Sequence, residues 1–288
     1  MNALDKPLLE RLYPADSRGY EPVAGLYLNT PLPEGGDGLP WCYANFVTSL
    51  DGRISLDSGG GCRVPGEIAN PRDWRLFQEL AARADCLLTS GRYLRELAAG
   101  CAQDILPLGA EFPDLQQWRQ ASGLPAQPDV AVVSGSLDFE LPPTLVEQGR
   151  RIWLFAPQDA DPARVERHRR AGAEIAARTA SAQARGHEIR RALGALGYRR
   201  VYSVAGPQIA RTLMADDGLD ALFQTVRHRA LGGSPGSFET MVEGPALTPP
   251  VDFRLAGLYL DPGDRPGASQ HFLRLERARG RACPSLGA

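Results

Sequence analysis

Apolar and polar positions follow two rhythms along this chain. Short apolar, aromatic or β-branched runs mark strands at Trp41 to Thr48, Cys86 to Leu88, Val130 to Val133, Arg151 to Phe155 and Val201 to Val204. Runs of this kind suit a parallel sheet whose two faces are both covered by helices. Three more strands are predicted at Gly218 to Val226, Phe253 to Leu260 and His271 to Leu275. Gly263, Pro266 and Gly267 separate the last two and predict a hairpin.

The second rhythm is helical. Asn70 is a good N-cap, Pro71 fits the first helical position and Asp73 suits the positive end of the helix dipole. Trp74, Phe77, Leu80 and Ala84 then recur at helical spacing, a stripe that predicts core packing. Further helices are predicted between Asp161 and Ala173, from Ala180 to Leu196 before Gly197, and from Pro207 onward. Leu8 to Tyr13 reads as a short helix ended before Pro14, and residues 100–128 as a poorly ordered connection anchored by Trp118. Gly35-Gly36-Asp37-Gly38 reads as a flexible joint. The division that results is an N-terminal arm over 1–39, one α/β domain over 40–280 and a short tail over 281–288. Its fold class is a mostly parallel sheet flanked by helices, closed by an antiparallel C-terminal hairpin.

Composition narrows the functional classes. The chain has 288 residues, 43% of them hydrophobic, enough for one large domain or two small ones. A formal net charge of −2 argues against a general nucleic-acid or membrane-surface binder. Lys6 is the only lysine, so nearly all positive charge is arginine. The five cysteines have no CxxC spacing, so buried free thiols in a reducing cytoplasm are expected, with Cys42 and Cys86 inside strands. No metal site is expected.

Two segments carry candidate chemistry. At Thr48-Ser49-Leu50-Asp51-Gly52 a strand gives way to hydroxyls, a carboxylate and a turn. Asp51 is the candidate catalytic residue there, able to orient a substrate or relay a proton; the alternative is an Asp that only bonds the turn backbone. At Val201 to Met214 a strand, an Ala205-Gly206 turn and a helix opened by Pro207 offer free N–H groups for a pyrophosphate. Asp57-Ser58-Gly59-Gly60-Gly61 is a second glycine-rich stretch, equally readable as a surface loop.

Asn45-Phe46-Val47-Thr48-Ser49-Leu50-Asp51-Gly52-Arg53-Ile54-Ser55 closely resembles the first strand of the riboflavin-biosynthesis reductase family. That family is the C-terminal reductase domain of the bifunctional deaminase-reductase and has the three-layer dihydrofolate-reductase fold. Thr89-Ser90, Ala205-Gly206-Pro207 and Leu231-Gly232-Gly233 resemble its later motifs, so the similarity covers roughly residues 40 to 277. The resemblance implies NADPH as cofactor, held by Ala205, Gly206, Pro207, Gln208, Ile209, Ala210 and Arg211. Further cofactor contacts are implied at Thr48, Thr89, Ser90, Gly91 and Arg92. Asn45, Ser49 and Asp51 fall on the substrate side, and a homodimer is implied.

The departures from the family pattern bear on the substrate. Val204 stands where the family has a glutamate, and Ala81 where it has a phosphate-binding arginine, with Arg83 two positions away. Tyr93 to Gly100 replaces a Thr-Val-x-x-Asp-x-Pro-x-Leu segment. No deaminase zinc motif is present. These changes predict an NADPH-dependent reductase of another small heterocyclic or carbonyl substrate. The alternative is a catalytically silent homologue that binds nucleotide or only dimerises.

Overall fold

A computed structural model describes residues 8–57, 62–180, 184–265 and 267–279. In chain order the N-terminal elements are β1 (Leu8–Tyr13), β2 (Gly19–Pro22), α1 (Leu26–Asn29), β3 (Trp41–Thr48), β4 (Ser55–Asp57) and β5 (Cys62–Arg63). Next come α2 (Pro71–Arg83), β6 (Cys86–Ser90), α3 (Gly91–Ala98), α4 (Pro113–Ala121), β7 (Asp129–Val133), α5 (Pro143–Glu147) and β8 (Ile152–Pro157). The chain continues through α6 (Pro162–Arg170), β9 (Ala173–Thr179), α7 (Gly186–Ala195), β10 (Arg200–Ser203) and α8 (Pro207–Ala215). It closes with β11 (Ala221–Arg227), β12 (Phe238–Glu239), β13 (Phe253–Asp261) and β14 (Gln270–Arg277).

One sheet of 11 strands runs in the order β2-β1-β13-β14-β11-β3-β10-β6-β7-β8-β9. From β11 to β9 all neighbours are parallel, while β14, β13, β1 and β2 join antiparallel. The fold is therefore the expected α/β class: a mostly parallel sheet with an antiparallel closing hairpin. Alternate residues of each central strand face opposite layers, as the pleat requires. Trp41 and Tyr43 of β3 join a core with Leu76 and Leu80 of α2, whereas Cys42, Ala44 and Phe46 join one with Ile189 of α7 and Leu213 of α8. Tyr43 stacks on Tyr202 of β10 with centroids 5.0 Å apart, and its hydroxyl donates to the Leu80 carbonyl at 2.8 Å.

Three local readings of the sequence are corrected. Leu8–Tyr13 is a strand, not a helix: it pairs with β13 and β2, and inter-strand bonds outweigh the weak preference of six residues for a helix. Residues 113–121 form α4, whose Leu115 and Arg119 are buried, so 100–128 is not a loose connection. The helix expected from Ala180 begins at Gly186, and strand β9 precedes it. Its Ala-Glu-Ile-Ala-Ala-Arg-Thr sequence has little β character, and it is recruited by parallel pairing with β8. The glycine cluster at 59–61 lies outside the described residues, as does Pro266 of the hairpin. Among the described residues no helix is long and apolar enough to cross a membrane.

Glu79 ties the N-terminal segment to the sheet domain. Its buried carboxylate accepts from the N–H groups of Gly25 at 2.5 Å, Tyr27 at 2.8 Å and Leu28 at 3.3 Å, and from Arg75 Nε at 2.8 Å. Removing one partner of such a buried cluster strands the rest. Glu79→Ala is expected to cost about 3–5 kcal/mol, measured from the midpoint of urea unfolding. A cost under about 1 kcal/mol, the level of an exposed ion pair, would mean the tie is dispensable.

Candidate active site

Three parallel strands end side by side. Ala44 of β3 is in register with Ser203 of β10, and Ser203 with Leu88 of β6. Their carboxyl ends open on one edge, the position where open α/β sheets bind ligands. Two cavities meet there. The larger, of about 630 Å³, lies between the end of β3, helix α2 and the small sheet β12-β4-β5. The other, of about 520 Å³, runs along α8 to the loop after β7. Ser90, Arg92, Gly206 and Pro207 line both.

The junction is a helix N-terminus. Pro207 opens α8, and no side chain caps it. Pro207 has no N–H, and those of Ile209 and Ala210 donate to the Gly206 carbonyl, so the Gly206 and Gln208 N–H groups and the helix dipole remain available to an anion. Gly206 has φ −69° and ψ −176°, extended backbone that any residue adopts. Its value is the missing side chain, because a Cβ there would stand in open space with nothing within 4 Å. A pyrophosphate group fits such a cradle. Beyond it the smaller cavity carries Arg95 and Arg211 beside Ser134, Ser136 and Thr212. Arg95 donates to the Asp138 carbonyl at 3.2 Å, and Arg211 to the Pro245 carbonyl.

Of the residues expected from sequence, Ser90, Arg92, Ala205, Gly206, Pro207, Gln208, Ile209 and Arg211 line one or both cavities, and Asn45 lines the larger. Thr48, Ser49, Asp51, Thr89, Gly91 and Ala210 line neither. Thr48 is buried, donating to the Thr225 carbonyl at 3.4 Å and accepting from Gln224 at 3.2 Å. Thr89 is buried within β6 and Ala210 in the core beneath α8. Gly91 lies so close to Ser134 and Phe139 that a Cβ would come within 2.7–2.9 Å of them.

Asp51 is a clamp rather than a cavity acid. It accepts from Ser49 Oγ at 2.5 Å, Leu231 N at 3.0 Å and Gly232 N at 2.7 Å. The Ser49 hydroxyl and these two backbone N–H groups hold its carboxyl well below the usual carboxylate range. A carboxylate so stabilised in its ionised form is a poor proton donor. It joins the Ser-Leu-Asp-Gly turn to the Leu-Gly-Gly loop, which explains why both segments occur together.

Three acids line the larger cavity: Glu96, Glu239 and Asp73, the last on the first turn of α2. Asp73 is only 8% exposed, and its Oδ1 is buried without a hydrogen-bond partner among the described residues. Burial pushes its carboxyl up to about 6, against the opposing pull of a hydrogen bond from Thr225 and the positive Arg227. Tyr27 and Tyr202 also face it electrostatically. Nothing in the local sequence distinguishes Asp73 from an ordinary first-turn acid; the hydrogen-bonding and charged groups that act on it, Thr225 and Arg227, sit on β11, far along the chain. Trp74 and Phe77 pack against the core as expected and have a second role. They stack with centroids 5.2 Å apart and form an aromatic wall of this cavity, while Leu80 of the same stripe is core.

Residues 40–259 match the family described as the RibD C-terminal domain. This chain belongs to that family. Membership supports a riboflavin-biosynthesis-type reductase. A comparison with curated proteins gives no match. Among solved structures, a pyrimidine reductase-like protein from Corynebacterium diphtheriae is 20% identical with TM-score 0.62, over 84% of this chain and 93% of that one. The Saccharomyces cerevisiae riboflavin biosynthesis reductase Rib7 is 14% identical with TM-score 0.57, over 88% and 99%. The Thermotoga maritima diaminohydroxyphosphoribosylaminopyrimidine deaminase/5-amino-6-(5-phosphoribosylamino)uracil reductase is 13% identical with TM-score 0.54. Here 83% of this chain is covered but only 57% of the longer protein. At these identities the likeness is one of fold.

The raised Asp73 carboxyl has a measurable signature. The folded state keeps this proton to about pH 6, whereas an unfolded chain releases it near 3.8. Its ionisation therefore erodes stability as pH rises through that window. Asp73→Asn is expected to match wild type at pH 4 and exceed it by about 2–3 kcal/mol at pH 7 in urea unfolding. A pH-independent difference would mean that Asp73 is not desolvated.

Proposed function

We propose that this protein is an NADPH-dependent reductase of a small heterocyclic or carbonyl substrate. The observation that carries the reading is the pair of cavities meeting at the uncapped start of α8, across a glycine with open space in place of a side chain. The Gly206 and Gln208 N–H groups would hold the cofactor's pyrophosphate. Arg95 and Arg211 would face its adenosine phosphate, which favours NADPH over the unphosphorylated nucleotide. The aromatic larger cavity would take the nicotinamide and the substrate. A bound NADPH supplies a hydride. The chain's own contribution is to hold cofactor and substrate in contact, shield them from water and manage the substrate's proton.

The substrate differs from the phosphorylated pyrimidine of riboflavin synthesis on this reading. Ala81 is in the core, and Arg83 spends its guanidinium on the carbonyls of Tyr27, Leu28 and Thr30. Neither is available for a substrate phosphate. Val204 presents an apolar wall where the resemblance implies a glutamate. The same substitutions favour the alternative of a silent nucleotide binder, which turnover of NADPH with any acceptor would remove.

Fluorescence titration with NADPH tests the cofactor assignment. Gly206→Ala adds only a methyl in open space and is expected to fold normally. Gly206→Asp sets a carboxylate beside the pyrophosphate, and such a like-charge contact is expected to weaken binding by at least about tenfold. Equal affinity in the two variants, or no binding by wild type, removes this reading.

A further inference from the structure

Where β11 leaves the sheet and β14 enters it, three side chains form one hydrogen-bonded chain. Arg227 is in register with Gln270, and one residue further His228 N donates to the Ser269 carbonyl at 3.1 Å. His228 therefore stands opposite Ser269. Side chains two apart on a strand share a face, so His271 stands beside Ser269. His228 Nδ1 lies 3.0 Å from Ser269 Oγ, and its Nε2 lies 2.9 Å from His271 Nδ1. Two neutral tautomer sets satisfy this chain. In one of them the Ser269 hydroxyl donates to His228 Nδ1, and His228 Nε2–H donates to His271 Nδ1. That is the order of a hydroxyl nucleophile, its general base and the acceptor that orients the base. His228 is exposed, Ser269 and His271 are half-buried, and none of the three lines either cavity.

Two neighbours support the same reading. Burial and the charge of His228 both push the His271 imidazole down, which keeps it a neutral acceptor. Arg229 follows His228 and is exposed, with its Nη2 only 2.7 Å from where a Cβ on Gly267 would stand, two residues before Ser269. Arg227 spends its guanidinium on the carbonyls of Gly267 and Ala268. The Arg229 guanidinium has no hydrogen bond or ion pair among the described residues, so it is available to an oxyanion.

We propose that Ser269, His228 and His271 form a second reactive site, which takes a small carboxylic ester and transfers its acyl group to Ser269 Oγ. The proposal is independent of the reductase reading. Ser269 Oγ bonds to the carbonyl carbon as its proton passes to His228 Nδ1, and the C=O π pair moves onto the oxygen, toward Arg229. The adduct then collapses. Its C–O bond to the alcohol breaks, and the leaving oxygen takes that electron pair and the proton held by His228. Water attacks the acyl-serine with His228 again as base, which gives a carboxylic acid and restores Ser269. His271 touches only the base and is a positioning residue.

The test uses the full chain with 4-nitrophenyl acetate at neutral pH. Release of 4-nitrophenolate is followed by absorbance, and acid-quenched protein is mapped by mass spectrometry. Wild type should carry acetyl on Ser269 and release 4-nitrophenolate at least about tenfold faster than Ser269→Ala. His228→Ala should slow acetylation of Ser269 at least about a hundredfold. Arg229→Gln should slow it at least about tenfold. His271→Ala should also slow it at least about tenfold. His271→Asn should recover most of that loss, because an amide oxygen can accept where Nδ1 did; a merely structural role gives no such rescue. Wild type with no acetyl on Ser269 overturns the proposal without relying on any variant. So does equal release by wild type and Ser269→Ala, or undiminished acetylation in a folded His228→Ala. Equal loss in His271→Ala and His271→Asn removes His271 from the site.

Discussion

The site depends on the parallel register of β3, β10 and β6. Parallel strands that start together end together, so their loops fall on one edge. Because Ala44, Ser203 and Leu88 are in line, Asn45 to Val47, Val204 to Gly206 and Ser90 emerge as neighbours. The stacked Tyr43 and Tyr202 rings lock that register from the α2 side. A slip of one residue would turn both rings to the opposite layer and move Val204 and Gly206 away from the cavity junction. The binding edge is therefore a consequence of strand alignment rather than of any single motif.

On that edge the chain separates two kinds of work. In the proposed site anion binding falls to an uncapped helix start, a glycine and two arginine side chains along the smaller cavity. The larger cavity is walled instead by individual side chains, among them Trp74, Phe77 and the buried Asp73. The separation explains how one half of the site can resemble the family closely while the other departs from it. Backbone N–H groups need only the Ala-Gly-Pro turn. The substrate wall depends on individual side chains and can change one residue at a time.

The sequence showed the parts governed by local chemistry. The β3 run, the Asn70-Pro71 helix start and the Ala205-Gly206-Pro207 turn each carry their signal within a few residues, and each is where it was expected. Elements held by distant partners were illegible. Leu8–Tyr13 becomes a strand only because β13 offers an edge, and β9 only because β8 does. Asp51 and Asp73 make the same point at the site. Asp51 looked catalytic because it stands at a strand end, but Leu231 and Gly232, some 180 residues on, claim its carboxylate. Asp73 looked like a dipole partner, but the fold buries it and pushes its carboxyl up to about 6, against the pull of Thr225 and Arg227 of β11.

The central claim is that the two cavities are one nucleotide-and-substrate site joined at Gly206. A crystal structure of the protein with NADP⁺ tests it most directly. The account predicts the pyrophosphate on the Gly206 and Gln208 N–H groups, the adenosine phosphate toward Arg95 and Arg211, and the nicotinamide between Val204 and the wall that carries Asp73. A nucleotide seated away from this turn, or none bound at saturating concentration, would contradict it.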